Sequence, residues 1–197
     1  MKCFLASMCN RARAIALAWM CGLLAACTTQ APAGIQPVHG FDAQRYLGRW
    51  YEIARLDHAF ERGLTDVSAT YEARSDGGLT VINRGYDASS ATWKSARGRA
   101  YFNGPTDVAS LKVSFFGPFF GGYHVVALDT DYRWAMVVGN DRGYLWILSR
   151  TPQLAESVKA GLVAQADRLG FDTGKLVWVP QEQAIRGQIS SGAHRRS

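Results

Sequence analysis

The sequence has no cysteine beyond residue 27: Cys3, Cys9, Cys21 and Cys27 are all that its 197 residues contain. From Thr28 onward, disulfides, thiolate metal sites and thiol nucleophiles are therefore excluded. Histidine is scarce as well. Of His39, His58, His124 and His194, only His124 falls in a strand-like run, where alternation points it outward. No nucleophile–base pair emerges, and no inward histidine is available to hold haem, so neither an enzyme nor a metal or cofactor protein is expected. An excess of one charge is also missing. Three of the 22 basic residues and none of the 16 acidic ones precede residue 27, which leaves 19 against 16. That is an ordinary solvated surface, without the basic stripe that a nucleic acid requires.

Nor is there an apolar run long enough to cross a bilayer. The longest, Ala14 to Leu24, is about half of the roughly 20 residues needed. It follows Lys2, Arg11 and Arg13, and this arrangement predicts an export signal over residues 1–26. The signal ends in Leu24-Ala25-Ala26-Cys27, which resembles the lipobox of bacterial lipoproteins. The resemblance implies lipidation of Cys27, palmitate included, and a tethered mature protein. The alternative is an ordinary signal peptide that happens to end in a cysteine. Aspartate after the lipidated cysteine favours inner-membrane retention in that family; Thr28 stands there instead, which implies the outer membrane of a Gram-negative cell.

What is present divides into one domain with appendages. Residues 27–40, with two prolines, two glycines and no apolar period, read as a flexible tether, and 181–197 as a polar C-terminal tail. Between them, 41–180 opens with one helical turn over Phe41 to Leu47. It continues as short strand-like runs separated by turn residues such as Asp76-Gly77-Gly78 and Asn140-Asp141-Arg142-Gly143. Strands are expected near 49–56, 66–75, 78–87, 92–102, 108–116, 121–129, 132–139 and 143–150. This pattern predicts an all-β fold, an eight-stranded antiparallel up-and-down barrel or a sandwich. The last two strands are apolar on both faces and need a cover. A helix follows, with Thr151 as N-cap, Pro152 at its first position, an apolar stripe of Leu154, Val158, Leu162, Ala166 and Leu169, and Gly170 at its end. Gly161 inside it is expected to allow a close approach to the sheet, and 175–179 to form a ninth short strand.

Three short motifs fall in order along these runs. Gly48-Arg49-Trp50 starts the first strand, Thr130-Asp131-Tyr132 turns from the sixth to the seventh, and Arg150 ends the eighth. In an up-and-down barrel all three lie at one end. The set resembles the G-x-W, T-D-Y and terminal-arginine motifs of the lipocalin family. The stretches 48–55, 113–119 and 144–152 are similar to those of the bacterial outer-membrane lipocalins, the subfamily related to apolipoprotein D. The resemblance covers Tyr46 to Val179. It implies a calyx that carries or stores a fatty acid, phospholipid or lysophospholipid, with a role in envelope lipid maintenance. Arg150 is expected to stack on Trp50 as a structural cation–π pair, and Asp131 to act as a turn acceptor.

Alternation points Tyr71, Val81, Ala96, Gly98, Val113, Phe115, Val125, Trp134, Met136, Trp146 and Leu148 inward, and the small residues of the fourth strand leave room for a ligand. Glu52 and Asn83 share this parity and form either a polar spot for a head group or a pair with each other. At the mouth, residues 116–122, with Phe116, Phe119 and Phe120, are unusually apolar for a loop, and Phe60 is expected at the same rim. Candidate roles for the loop are a lid, a membrane-touching tip or a homodimer contact. The alternative to a lipid carrier is a structural or interaction lipoprotein that uses this loop.

Overall fold

The computed structural model describes residues 29–186. The expected signal over 1–26, the lipidation site Cys27 and the tail from residue 187 onward lie outside the described residues. A short helix α1 (Ala43–Tyr46) leads into eight strands: β1 (Gly48–Leu56), β2 (Leu64–Ala73), β3 (Leu79–Asp87), β4 (Thr92–Phe102), β5 (Ser110–Ser114), β6 (Gly121–Leu128), β7 (Trp134–Val138) and β8 (Leu145–Ser149). Helix α2 (Glu156–Arg168) and strand β9 (Leu176–Trp178) follow. Each strand pairs antiparallel with the next, β8 returns to β1, and β1 also pairs with β2, so the sheet closes into a barrel.

Two apolar clusters follow from the two faces of the sheet. Inside, Leu79, Val81, Ala100, Leu111, Val125, Val137 and Leu148 meet above Trp50, Tyr46 and Phe41. Outside, Met136, Val138, Leu145 and Ile147 are covered by Leu162 and Ala166 of α2, with Leu154, Val158 and Leu169 partly buried beside them. Strand β7 decides a point that alternation could not. Trp134 and Met136, expected to face the cavity, belong to the outer cluster, and Ala135 and Val137 face inward. Both faces of β7 are apolar, and the larger side chains are the ones that fill the space under α2.

Gly170, with φ +82°, ends the helix as expected, but the start of the helix and its internal glycine differ from expectation. Helix α2 starts at Glu156 with Ala155 as its N-cap, because the Thr151 hydroxyl donates to the Gln153 carbonyl and closes a turn before the helix begins. A Cβ on Gly161 would meet open space, so this glycine serves no close approach.

The expected tether is not loose from residue 29 on. Ile35 is buried in the outer cluster, Val38 inserts its backbone between Val125 and Ala109, and Thr29 and Asn103 exchange hydrogen bonds at 3.1 Å. The segment is a strap along the barrel wall. The start of the expected polar tail is ordered as well. Near the mouth β2 diverges from β1, and β9 pairs with the free edge of β1. The Gln181 side-chain amide then donates to the Glu52 carbonyl at 2.8 Å and the Val67 carbonyl at 2.9 Å, stitching the seam between the two strands.

Candidate functional site: a barrel interior closed at one end

Strand β1 starts at the closed end, and its glycine is there for a geometric reason. Gly48 has φ +89°, a left-handed conformation that disfavours side chains. Trp50 then plugs the floor, its indole N–H donating to the Tyr46 carbonyl at 2.8 Å. The Arg150 guanidinium lies 3.9 Å from the Trp50 ring and donates to the carbonyls of Arg45 (2.7 Å) and Arg49 (3.0 Å), with a longer 3.3 Å contact to Tyr132. Arg45 in turn covers the Tyr132 ring at 4.2 Å and donates to the Thr130 carbonyl. The acceptor that shapes the turn is Asp129, not Asp131. Its carboxylate receives the backbone N–H groups of Asp131 and Arg133 and the Arg133 guanidinium, while Asp131 is exposed. Asp129 precedes the motif and is buried, so it can satisfy the backbone donors of the turn, while Asp131, turned to solvent, makes a long 3.8 Å ion pair with Arg133.

Above this floor three phenols converge. The Tyr123 hydroxyl lies 2.7 Å from that of Tyr46 and 2.6 Å from that of Tyr71. Burial raises the pKa of all three, so they remain neutral. Register then carries the inner wall towards the mouth: Trp50 faces Ala69, Ala69 faces Asn83, and Asn83 faces Ala96. Tyr71, Val81 and Gly98 form the next such row. A Cβ on Gly98 would lie 2.8 Å from both the Phe115 ring and the Ser114 carbonyl, so the Phe115 ring rests on this glycine at the inner wall. Val113, Val125, Trp146 and Leu148 complete the inward set. Ala96 is exposed, and Ala69, Asn83, Gly98, Val113, Tyr123 and Trp146 are only half-buried. Residues 92–97 of β4 are exposed on both faces because β5 pairs with β4 only from Arg99 onward, so Ala96 stands at the rim. The partial solvent access of Gly98, Val113, Tyr123 and Trp146 lies within the closed wall.

A buried polar cluster stands at the mouth side. A bulge between Glu52 and Ala54 lets Ile53 and Ala54 both face outward, which returns Arg55 to the inside. Arg55 donates to Glu52 Oε1 at 2.7 Å and to the Glu61 carbonyl at 2.7 Å. In the loop between β1 and β2, Glu61 Oε2 lies 2.9 Å from His58 Nε2 and accepts the Trp146 indole N–H at 3.0 Å. The His58 ring packs on Trp146 and Tyr144. Burial, with the Glu61 carboxylate nearby, pushes the Glu52 carboxyl up to about 8 against the pull of Arg55. Glu52 and Asn83 do not pair. Asn83 Oδ1 and Arg55 Nε are buried with no hydrogen-bond partner among the described residues. Among the described residues, no three His, Cys, Asp or Glu side chains gather as a metal ion requires.

Residues 41–181 match the family model described as a lipocalin-like domain. The chain is a lipocalin. It is 55% identical over 168 residues to the outer membrane lipoprotein Blc of Escherichia coli strain K12, covering 85% of this chain and 95% of that protein. It is 50% identical to the Blc of Vibrio cholerae, over 77% of this chain and 89% of the relative. Among solved structures, the cockroach allergen Per a 4 superposes with a TM-score of 0.62 at 18% identity, covering 79% of this chain and 98% of the allergen.

The rim of this lipocalin is aromatic. Phe60 is 61% exposed, Phe116 82% and Phe119 72%, whereas Phe120 folds back against Tyr101 on the outer wall. His124 is on the outer face but fully buried, with Nδ1 3.1 Å from the Ser110 hydroxyl and the backbone of Thr29 and Gln30 against its ring. Sequence reading missed Arg55, His58, Glu61, Tyr46 and Tyr123. Parity through Tyr123-x-Val125 could have found Tyr123. The bulge hid Arg55, and loop residues such as His58 and Glu61 carry no periodic signal.

Proposed function

We propose that this lipocalin is a lipid-anchored carrier or storage protein of the outer membrane, which holds a fatty acid or lysophospholipid in the barrel and serves envelope lipid maintenance. The observation that carries this reading is the partial solvent access of the inward residues Gly98, Val113, Tyr123 and Trp146 in a barrel that is closed at the other end by Trp50. An acyl chain placed there removes apolar surface from water at about 25 cal/mol per Å². Arg55 Nε, His58 Nδ1 and Asn83 Oδ1, each without a hydrogen-bond partner among the described residues, are the mouth-side polar groups offered to the lipid's head group. The names of the Escherichia coli and Vibrio cholerae relatives support the outer-membrane location, as does the lipobox-like Leu24-Ala25-Ala26-Cys27. Binding rather than catalysis is the reading that the family supports.

Native mass spectrometry of the gently extracted protein, with identification of released lipid, tests this reading. A fraction carrying one acyl lipid per barrel is expected. Protein that carries none, and takes none up from added oleate or lysophosphatidylethanolamine, would overturn the carrier reading.

A further inference from the structure

The strap fixes where the described chain begins on the barrel. Its first residue, Thr29, follows Cys27 by two positions in the sequence. Thr29 itself is held: it exchanges hydrogen bonds with Asn103, and its carbonyl lies 3.1 Å from where a Cβ on Gly122 would project from the outer wall. Gly122 is the second residue of β6, next to the β5–β6 loop. A residue at position 119 is about 10 Å further along the chain at strand rise. Thr29 and this loop therefore occupy one flank of the barrel.

The chemistry of that flank matches a bilayer. Phe116 and Phe119 project into solvent at the loop tip, 82% and 72% exposed. Behind them, on the outer wall, Lys112 Nζ and the Arg99 guanidinium lie 5.3 and 5.9 Å from the Phe120 ring. Neither forms an ion pair among the described residues. An apolar aromatic tip backed by unpaired cations is the arrangement that inserts at an interface and meets anionic head groups.

We propose that the β5–β6 loop docks on the membrane that holds the anchor, with Phe116 and Phe119 inserted among acyl chains and Arg99 and Lys112 on anionic phospholipid head groups. The barrel mouth then lies at the lipid surface, so that a lipid enters or leaves without crossing bulk water. This inference rests on the reading of Cys27 as lipidated.

The test uses full-length protein matured in cells and reconstituted in phosphatidylethanolamine–phosphatidylglycerol vesicles. With Cys27 consumed by its lipid, F119C gives one labelling site for a nitroxide, and S75C gives a control on the β2–β3 turn, at the closed end of the barrel. Both residues are exposed, so neither substitution disturbs packing. At position 119, accessibility to oxygen, which concentrates in lipid, is expected to rise severalfold relative to a water-soluble nickel chelate; at position 75 the chelate is expected to dominate. A lipidated protein whose position 119 favours the chelate would overturn the proposal and leave the anchor standing. Dipolar broadening between labels at 119 would mean that a second copy covers the loop, and would also overturn it. Mass spectrometry that finds Cys27 without acyl chains would overturn the anchor reading, and the docking proposal with it.

Discussion

Arg150 joins three backbone segments at the floor through its contacts with the carbonyls of Arg45, Arg49 and Tyr132, and it covers Trp50. Arg150→Met keeps the stem and removes these bonds. With about 0.5–2 kcal/mol for the stacking and about 1.5–3 kcal/mol for bonds to a charged donor, a loss of roughly 2–4 kcal/mol is expected. For a domain of this size that is a fall in Tm of roughly 10 °C, readable by circular dichroism. Lipid affinity is expected to survive at temperatures where the variant is folded, because the proposed lipid lies above the floor.

Glu52 carries the pH dependence at the same scale. One guanidinium, that of Arg55, serves a site with two carboxyl groups, Glu52 and Glu61, and burial raises the Glu52 carboxyl from 4.5 to about 8. Across that window the folded protein holds a proton that the unfolded chain has released. Stability therefore falls as pH rises from 4.5 through about 8. Glu52→Gln mimics the protonated group, and its Tm is expected to be flat over this window while that of the parent declines. Parallel declines would assign the titration to another group. The inward parity of Glu52 was legible in the sequence; that of Arg55 was not. A single bulge residue, Ile53, reverses every facing after it, and nothing in Trp50-Tyr51-Glu52-Ile53-Ala54-Arg55 announces the bulge.

At the scale of elements, the helix and the strap differ in how they depart from their sequence signals. The apolar stripe of α2 placed Leu162 and Ala166 on the barrel wall, because the 3.6-residue period is set by the buried face alone. Its glycine has no partner to make room for. Gly161→Ala is expected to stabilise the protein by about 1 kcal/mol, seen as a higher urea midpoint with an unchanged m-value. A destabilised variant would mean that the helix lies closer to a neighbour than the structure places it. The strap, by contrast, reads as a linker because its contacts are made by backbone groups and isolated apolar residues such as Ile35 and Val38. Such contacts leave no period in the sequence. Gln181 likewise acts through one side-chain amide across a seam whose two strands are more than 100 residues earlier in the chain.

For the whole molecule, the closed eight-stranded barrel with an outer helix was legible because alternation, turn residues and three motifs at one end all point the same way. Facing within β7 was not, since Trp134-Ala135-Met136-Val137-Val138 is apolar on both sides and only the cover supplied by α2 separates them. The mouth cluster was invisible for a different reason: His58, Glu61 and Trp146 meet across loop and strand, and only closure brings them together. The central claim is that the open space along the inner wall is where the lipid sits. Ala96 tests it most directly. It faces inward opposite Asn83, it is exposed, and a larger side chain there enters the space without touching the floor. Calorimetric titration of oleate into the parent and the Ala96→Phe variant is the measurement. The account predicts at least a tenfold loss of affinity, about 1.4 kcal/mol, with Tm unchanged; equal affinity in the two proteins would place the lipid outside the barrel and contradict it.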